Sequence, residues 1–433
     1  MQKLTWRQLA AVGSMLFGLF FGAGNLIFPV AMGQLAGRNL WAAAAGFLIT
    51  GVGLPLLGVA ALGLSRESGL LALSSRVGRG YGLAFTCALY LTIGSFFAIP
   101  RCATVSYTVG IAPLAPGGGA ALGVFSLAFF AVVLFFSLRP GQILTWVGKV
   151  LNPLFLAFLA VLVLRALAAP LGQAAAVEPA GAYRAAPFAT GLLEGYNTMD
   201  ALAGLAFGIL VVQAIRRLGV RAPGDVAVST VCAGVFSSAL MAGIYLLVTL
   251  VGAQSRSRFA AAANGGEALA QIAAAYFGRA GALILAATVT VACLKTAVGL
   301  ITSCGETFVE IFPHGPSYRV WAVGFCLLSF LIANLGLDAI LAWSQPVLMA
   351  LYPLAIVLIL LTLAGPLYGD DRAVLRGGLG CTAAAAVLEF LRALPAGAAP
   401  AVQPVVDWAA AWLPLYAKGF GWVLPAAVGC AAG

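Results

Sequence analysis

Phe20-Phe21-Gly22-Ala23-Gly24-Asn25-Leu26-Ile27-Phe28-Pro29 interrupts the first long apolar run of the chain. Each glycine loosens a helix by about 1 kcal/mol relative to alanine. Pro29 has no N–H to give the Asn25 carbonyl, and its ring crowds that turn. A helix carrying these residues is predicted to unwind near Gly22–Asn25. In lipid, freed backbone groups are tolerated only where protein covers them or a polar cavity receives them. Amides at the start of a half-helix suit a carboxylate, and freed carbonyls suit a cation. The competing explanation is close helix packing through small residues. Asn25 beside the glycines and Pro29 after them favour the break.

Composition decides whether the surrounding solvent is lipid. The 433 residues are 62% hydrophobic and 8% charged, with a mean hydropathy of +1.05. A soluble domain carries about 25% charged residues, so this chain cannot cover itself with polar surface. A spanning helix needs about 20 apolar residues. Twelve apolar segments meet that need, at about 8–33, 41–64, 81–110, 120–138, 143–168, 188–215, 227–253, 280–311, 318–336, 339–365, 374–393 and 411–432. Charges or Pro/Gly clusters separate them, such as Ala115-Pro116-Gly117-Gly118-Gly119 and Gly369-Asp370-Asp371-Arg372. The expected fold class is an all-α polytopic membrane protein with about twelve transmembrane helices in a single domain. The first run passes Phe28 without a small-residue cleavage site, so it reads as a retained helix rather than a signal peptide.

Charge sets the expected orientation. With the N-terminus inside, thirteen of the 23 Lys and Arg residues fall on the inner side and eight on the outer side. The outer ones sit largely in three long loops, where the positive-inside rule counts less. Both termini are therefore expected to face the cytoplasm. The net charge of +10 then reflects basic inner loops, and no nucleic-acid partner is implied. The single histidine, His314, lies in Pro313-His314-Gly315-Pro316 and cannot supply a haem ligand pair or a typical metal cluster. None of the eight cysteines stands in a CxxC pair, and they read as small buried hydrophobes. No cofactor is expected.

A second interruption falls in span 6, at Glu194-Gly195-Tyr196-Asn197-Thr198-Met199-Asp200. Broken helices in the first and sixth positions mark transporters built from two inverted five-helix repeats. The expected division is 1–169 for the first repeat, 188–365 for the second, and 374–433 for two peripheral helices. The alternative is a helix that starts late, with Thr198 as its N-cap and Asp200 as a first-turn acid.

Charges inside spans are functional candidates by default. Arg101, in the outer half of span 3, could pair with Asp200 or Glu194, steer a carboxylate, or snorkel to the outer surface. Lys295 lies near the middle of span 8, where snorkelling is difficult. Its ammonium could take the place of a cation or exchange a proton, and Thr296 beside it offers a hydroxyl to a small hard cation. Glu306 falls near the inner mouth as a solvated or gating charge. Asn152-Pro153, Gln345-Pro346 and Tyr352-Pro353 read as kinks.

These motifs resemble the bacterial branched-chain amino acid carriers of the LIVCS family, transport system II. The resemblance covers nearly the whole chain. It rests on Phe21–Pro29, on Gly46-Phe47-Leu48-Ile49-Thr50 and Val52-Gly53-Leu54-Pro55, and on Pro100-Arg101 with Ala103-Thr104-Val105-Ser106. It continues in Val109-Gly110-Ile111-Ala112-Pro113, in Gly195-Tyr196 with Thr198-Met199-Asp200, and in Thr296-Ala297-Val298-Gly299-Leu300. The resemblance implies a LeuT-like fold and a carrier in the bacterial inner membrane for leucine, isoleucine and valine, driven by sodium or protons. By that resemblance Gly22, Ala23, Gly24 and Asn25 meet the substrate's amino and carboxylate groups, with Tyr196, Asn197 and Thr198 opposite. The carbonyls of Gly18 and Phe21 would face a possible sodium ion. A pair of small hydroxyl residues on span 8 usually completes that site. Here the pair is Lys295-Thr296, a departure that leaves sodium and proton both open. Arg101 and Asp200 remain intramembrane charges with a gating role. A carrier of another small neutral solute is the nearest alternative. A membrane-embedded enzyme would need clustered acids, histidines or a metal site, and a channel would need neither helix break.

Overall fold

The computed structural model describes residues 4–65, 67, 69–113, 118–139, 152–395 and 397–433, and all regular structure among them is helical. Seven of the described helices are long and apolar enough to cross a membrane, or eight when the bent pair Pro187–Thr198 and Asp200–Arg217 forms one span. Large aliphatic side chains such as Val124, Leu164, Leu331 and Val387 stand exposed around the outside. Hydrocarbon accommodates such a surface, whereas water would drive it to associate. The chain is a multi-pass membrane protein.

The expected segments map onto the helices with local corrections. Span 1 is two helices, Trp6–Phe20 and Ala23–Ala36. The unwound residues are Phe21 (φ −73°, ψ 91°) and Gly22 (φ −115°, ψ −162°), so the break precedes the expected centre. Its cause is the Asn25 side chain, whose Oδ1 accepts the Gly22 N–H at 2.9 Å and restarts the helix. Pro29 lies within the second half-helix. Pro346 and Pro353 likewise lie inside a continuous helix, Leu337–Tyr368. Span 5 is described as Asn152–Ala168. Its expected start at 143, the turn preceding Asn152-Pro153, the Ala115–Gly117 part of the break before span 4, and Lys3, Arg66 and Lys149 of the charge count lie outside the described residues.

The last spans depart further. The helix of span 8 begins early, at Gly265, capped by the Asn264 side chain on the Glu267 N–H at 3.0 Å. Gly278, at φ 60° and ψ −150°, separates this first section from the membrane part. The expected twelfth span, 411–432, is divided. Helix Ala399–Trp412 lies exposed along nearly its whole length, and only Val423–Ala432 runs back along Arg372–Arg392. Pro414, together with left-handed Leu415 and Gly419, breaks the helical path between them. The returning segment follows Arg372–Arg392 closely: Glu389 accepts the Gly421 N–H at 2.8 Å, and Gly433 packs on the Ala373 backbone.

Backbone contact separates two packed groups. Spans 1, 2, 6 and 7 approach through glycine. A Cβ on Gly33 would meet the Thr249 carbonyl oxygen at 2.0 Å, and one on Gly191 would meet that of Ala43 at 2.0 Å. Without a hydrophobic drive between helices in lipid, such small-residue contact supplies the packing. Spans 4, 8 and 9 instead interlock through large rings. Phe130 meets Phe330 edge-on, and Trp321 packs against Phe308 and Phe325. The two broken helices belong to the first group and face the second.

Candidate functional site

Span 6 is a broken helix rather than a late-starting one. Pro187–Glu194 leads into a 3₁₀ turn, Gly195–Thr198, then Met199 turns left-handed (φ 63°, ψ 10°) and Asp200–Arg217 departs at 45°. Thr198 does act at the restart, accepting the Asp200 N–H at 3.3 Å through Oγ1. It also donates to the Gly195 carbonyl at 2.9 Å. Gly195 is required here. Thr50 comes so close while donating to the Leu192 carbonyl at 2.6 Å that a Cβ would sit 2.0 Å from its hydroxyl.

The two breaks are tied together by side chains. Asn25 donates from Nδ2 to Asp200 Oδ2 at 2.6 Å and also hydrogen-bonds the Tyr245 hydroxyl. Tyr245, from span 7, donates to the same Asp200 oxygen at 3.0 Å. All three residues are buried. Phe47 packs edge-on against the Tyr245 ring, with centroids 5.2 Å apart. Tyr245 was not among the residues singled out from sequence. Its only signal is a phenol in the middle of an apolar run, Gly243-Ile244-Tyr245-Leu246.

Arg101 is 3% exposed and does not snorkel. Its guanidinium donates to the Asn197 carbonyl at 2.7 Å and lies 5.1 Å from the centre of the Phe28 ring. No ion pair joins it to Asp200 or Glu194 among the described residues. Gly24 leaves the room it needs, since a Cβ there would sit 2.8 Å from Nη2.

A cavity of about 40 Å³ lies where these groups converge. Its lining mixes polar residues and glycine backbone (Gly22, Gly24, Asn25, Arg101, Asp200 and Thr296) with apolar side chains (Leu19, Phe20, Ile93, Ala98, Phe207 and Leu300). Thr296 approaches the first break so closely that a Cβ on Gly22 would lie 3.1 Å from its methyl group. The starts of Ala23–Ala36 and Asp200–Arg217, both positive dipole ends, lie at this cavity. Of the other candidates, Thr198 also lines it, while Tyr196 stacks on Tyr352 with centroids 4.0 Å apart and Asn197 faces a second cavity. Ala23 is the first residue of the second half-helix. Gly18 and Phe21 are buried beside the break, and the Phe21 ring stacks on Phe17. Lys295 is 9% exposed and does not line this cavity. Glu306 is exposed, in keeping with a solvated charge.

A multi-pass protein with two broken helices meeting at a mixed polar and apolar cavity is a transporter of LeuT-like fold. Two solved structures support that fold. One is Mhp1, a nucleobase-cation-symport-1 family transporter in a closed conformation with bromovinylhydantoin bound. It has a TM-score of 0.62 at 14% identity, covering 98% of this chain and 90% of that one. The other is MhsT in complex with L-phenylalanine, at 0.56 and 15%, covering 100% and 98%. The family model for branched-chain amino acid transport proteins matches residues 6–433. A branched-chain amino acid permease, BrnQ, from Lactobacillus delbrueckii subsp. lactis is 54% identical over 430 residues, 99% of this chain and 96% of that protein. The branched-chain amino acid transport system 2 carrier protein of Pseudomonas aeruginosa is 42% identical over 428 residues, 99% and 95% of the two chains. The chain belongs to the branched-chain amino acid transport protein family. It is a carrier, not an enzyme.

Proposed function

We propose that the chain imports leucine, isoleucine and valine across the bacterial cell membrane by symport, with the cavity between the two breaks as the substrate site. The observation that carries this reading is the mixed lining of that cavity. Its polar groups include the start of the half-helix Ala23–Ala36, the Arg101 guanidinium and the Asp200 carboxylate, which match a zwitterion. Its apolar side chains, with Ile93, Phe207 and Leu300 among them, match a branched aliphatic group and offer nothing to a polar side chain. Arg101, Phe28 and Asn197 act as the gate on the outer side. The sequence division into repeats at 1–169 and 188–365, with 374–433 outside them, accords with breaks in the first and sixth spans. Both termini lie in the cytoplasm. The charge bias supports this.

Two observations bear on the coupling ion. The Thr296 hydroxyl stands beside the unwound backbone of Phe21 and Gly22, as a sodium site with hard oxygen ligands requires. The neighbouring residue is Lys295, an ammonium that can exchange a proton. The experiment separates them. Purified protein in liposomes is given labelled leucine under an inward sodium gradient or an inward proton gradient, each imposed alone. Accumulation above equilibrium under one gradient identifies the ion, and uptake that only equilibrates under both removes the symport reading. If Lys295→Thr leaves the ion dependence unchanged, Lys295 takes no part in coupling.

A further inference from the structure

A second, larger cavity of about 200 Å³ lies beyond Arg101, toward the loop 256–264. On a measure where one water needs about 10–15 Å³, it holds more than a dozen water-sized positions, whereas the central cavity holds about three. Ile27, Phe28 and Leu341 supply its apolar wall, and Glu194, Asn197 and Gln345 its polar groups. It opens beside Ala263, which is exposed.

Glu194 is the chemical feature that asks for a ligand. Its side chain is partly buried, and Asn197 lines the same cavity. The ion pairs among the described residues are Arg38 with Glu178, Arg76 with Asp370 and Arg392 with Glu389, so no described Lys or Arg is paired with it. A carboxylate at membrane depth without a cation is costly. A cation arriving from outside offsets that cost, and an apolar wall a few atoms away selects one with an aliphatic body.

The two cavities stand back to back. Phe28 and Asn197 line the outer one and Arg101 the central one. Arg101 links the two linings, because its guanidinium holds the Asn197 carbonyl at 2.7 Å. We propose that the outer cavity is an entry subsite for aliphatic primary ammonium compounds, with the ammonium on Glu194 and the hydrocarbon against Ile27, Phe28 and Leu341, occupied before Arg101 yields. This rests on the transport reading above for its role in entry, but its chemistry stands without it. The subsite needs no carboxylate on the ligand, whereas the central cavity offers groups for both ends of a zwitterion.

Isopentylamine, which has the ammonium and the branched chain but no carboxylate, is therefore the probe. Its binding to the purified full-length protein is measured by calorimetry, and its effect on leucine uptake by adding it outside liposomes. The expected result is saturable binding and inhibition in the parent, with both at least tenfold weaker in Glu194→Gln. Should Glu194→Gln fail to purify as a single species, Leu341→Trp, which fills the cavity, is expected to abolish binding. Equal isopentylamine binding in parent and variant, or none in the parent, overturns the proposal. A parent that binds isopentylamine but transports no leucine leaves the subsite standing and refutes the transport reading instead.

Discussion

Gly24→Ala tests whether Arg101 holds the outer side of the site closed. The added methyl would lie 2.8 Å from Arg101 Nη2 and 3.2 Å from its Cζ, and 3.2 Å from Phe28 Cε2. The Arg101 atoms are the far end of a flexible side chain, so the guanidinium is the group that gives way, and it is expected to withdraw. Withdrawal breaks its 2.7 Å hydrogen bond to the Asn197 carbonyl. A hydrogen bond from a charged donor contributes about 1.5–3 kcal/mol. The higher helix propensity of alanine, up to about 1 kcal/mol, acts in open and closed forms alike and cancels. The closed form should therefore lose roughly ten- to hundredfold in population, at about 1.4 kcal/mol per factor of ten. Cys102 supplies the reporter, because it lines the central cavity and is otherwise buried. In a variant whose other seven cysteines are replaced, a membrane-impermeant thiol reagent is added outside right-side-out vesicles. Labelling of Cys102 should accelerate by at least tenfold in Gly24→Ala, and saturating leucine should alter the rate. If the variant folds and its labelling rate stays within twofold of its parent, the Arg101–Asn197 contact does not govern access.

Two further substitutions probe the supports of the site. Gly195→Ala forces a methyl to 2.0 Å from Thr50 Oγ1 and 3.0 Å from backbone atoms of Phe47 and Gly51; the expected outcome is aggregation on size-exclusion chromatography in detergent, and a normal monodisperse peak would show the 3₁₀ turn to be adaptable. Tyr245→Phe removes one donor from the buried Asp200 carboxylate and one partner from Asn25. The expected cost is about 1–3 kcal/mol, read as a lower melting temperature in detergent together with weaker leucine uptake, and an unchanged melting temperature would contradict it.

The polar punctuation of the chain was legible because lipid makes it conspicuous. Asn25, Arg101 and Asp200 stand out against apolar neighbours, and each is placed at the junction of the breaks. What could not be read was direction. Nothing in Gly22-Ala23-Gly24-Asn25 says that Asn25 would reach back to the Gly22 N–H and restart the helix two residues earlier. Arg101 looked for a carboxylate by charge, yet found the Asn197 carbonyl, because a broken helix frees carbonyls that an intact one would hide. Tyr245 was invisible because one phenol in an apolar span is ordinary until its partners are known. The last span was misplaced for the opposite reason. Its composition stays apolar from 411 to 432, and apolar content does not show where Pro414 and Gly419 turn the chain.

The same details explain why the breaks persist in the protein itself. Unwinding a helix in lipid strands backbone groups, each costing several kcal/mol unless met. Here Asn25 meets the Gly22 N–H, Thr198 meets the Asp200 N–H, and Arg101 meets the Asn197 carbonyl. The first two contacts are local, two or three residues apart along the chain, so they survive when spans move relative to one another. The third crosses from span 3 to span 6 and does not. On the proposed reading, a substrate arriving at the cavity finds the unwound backbone already formed, and little of its binding energy is needed to create it. On the same reading, that energy is left for the contact proposed to change, the grip of Arg101 on Asn197. A neutral side chain at position 101 should thus leave both breaks in place while uncoupling their occupation from closure.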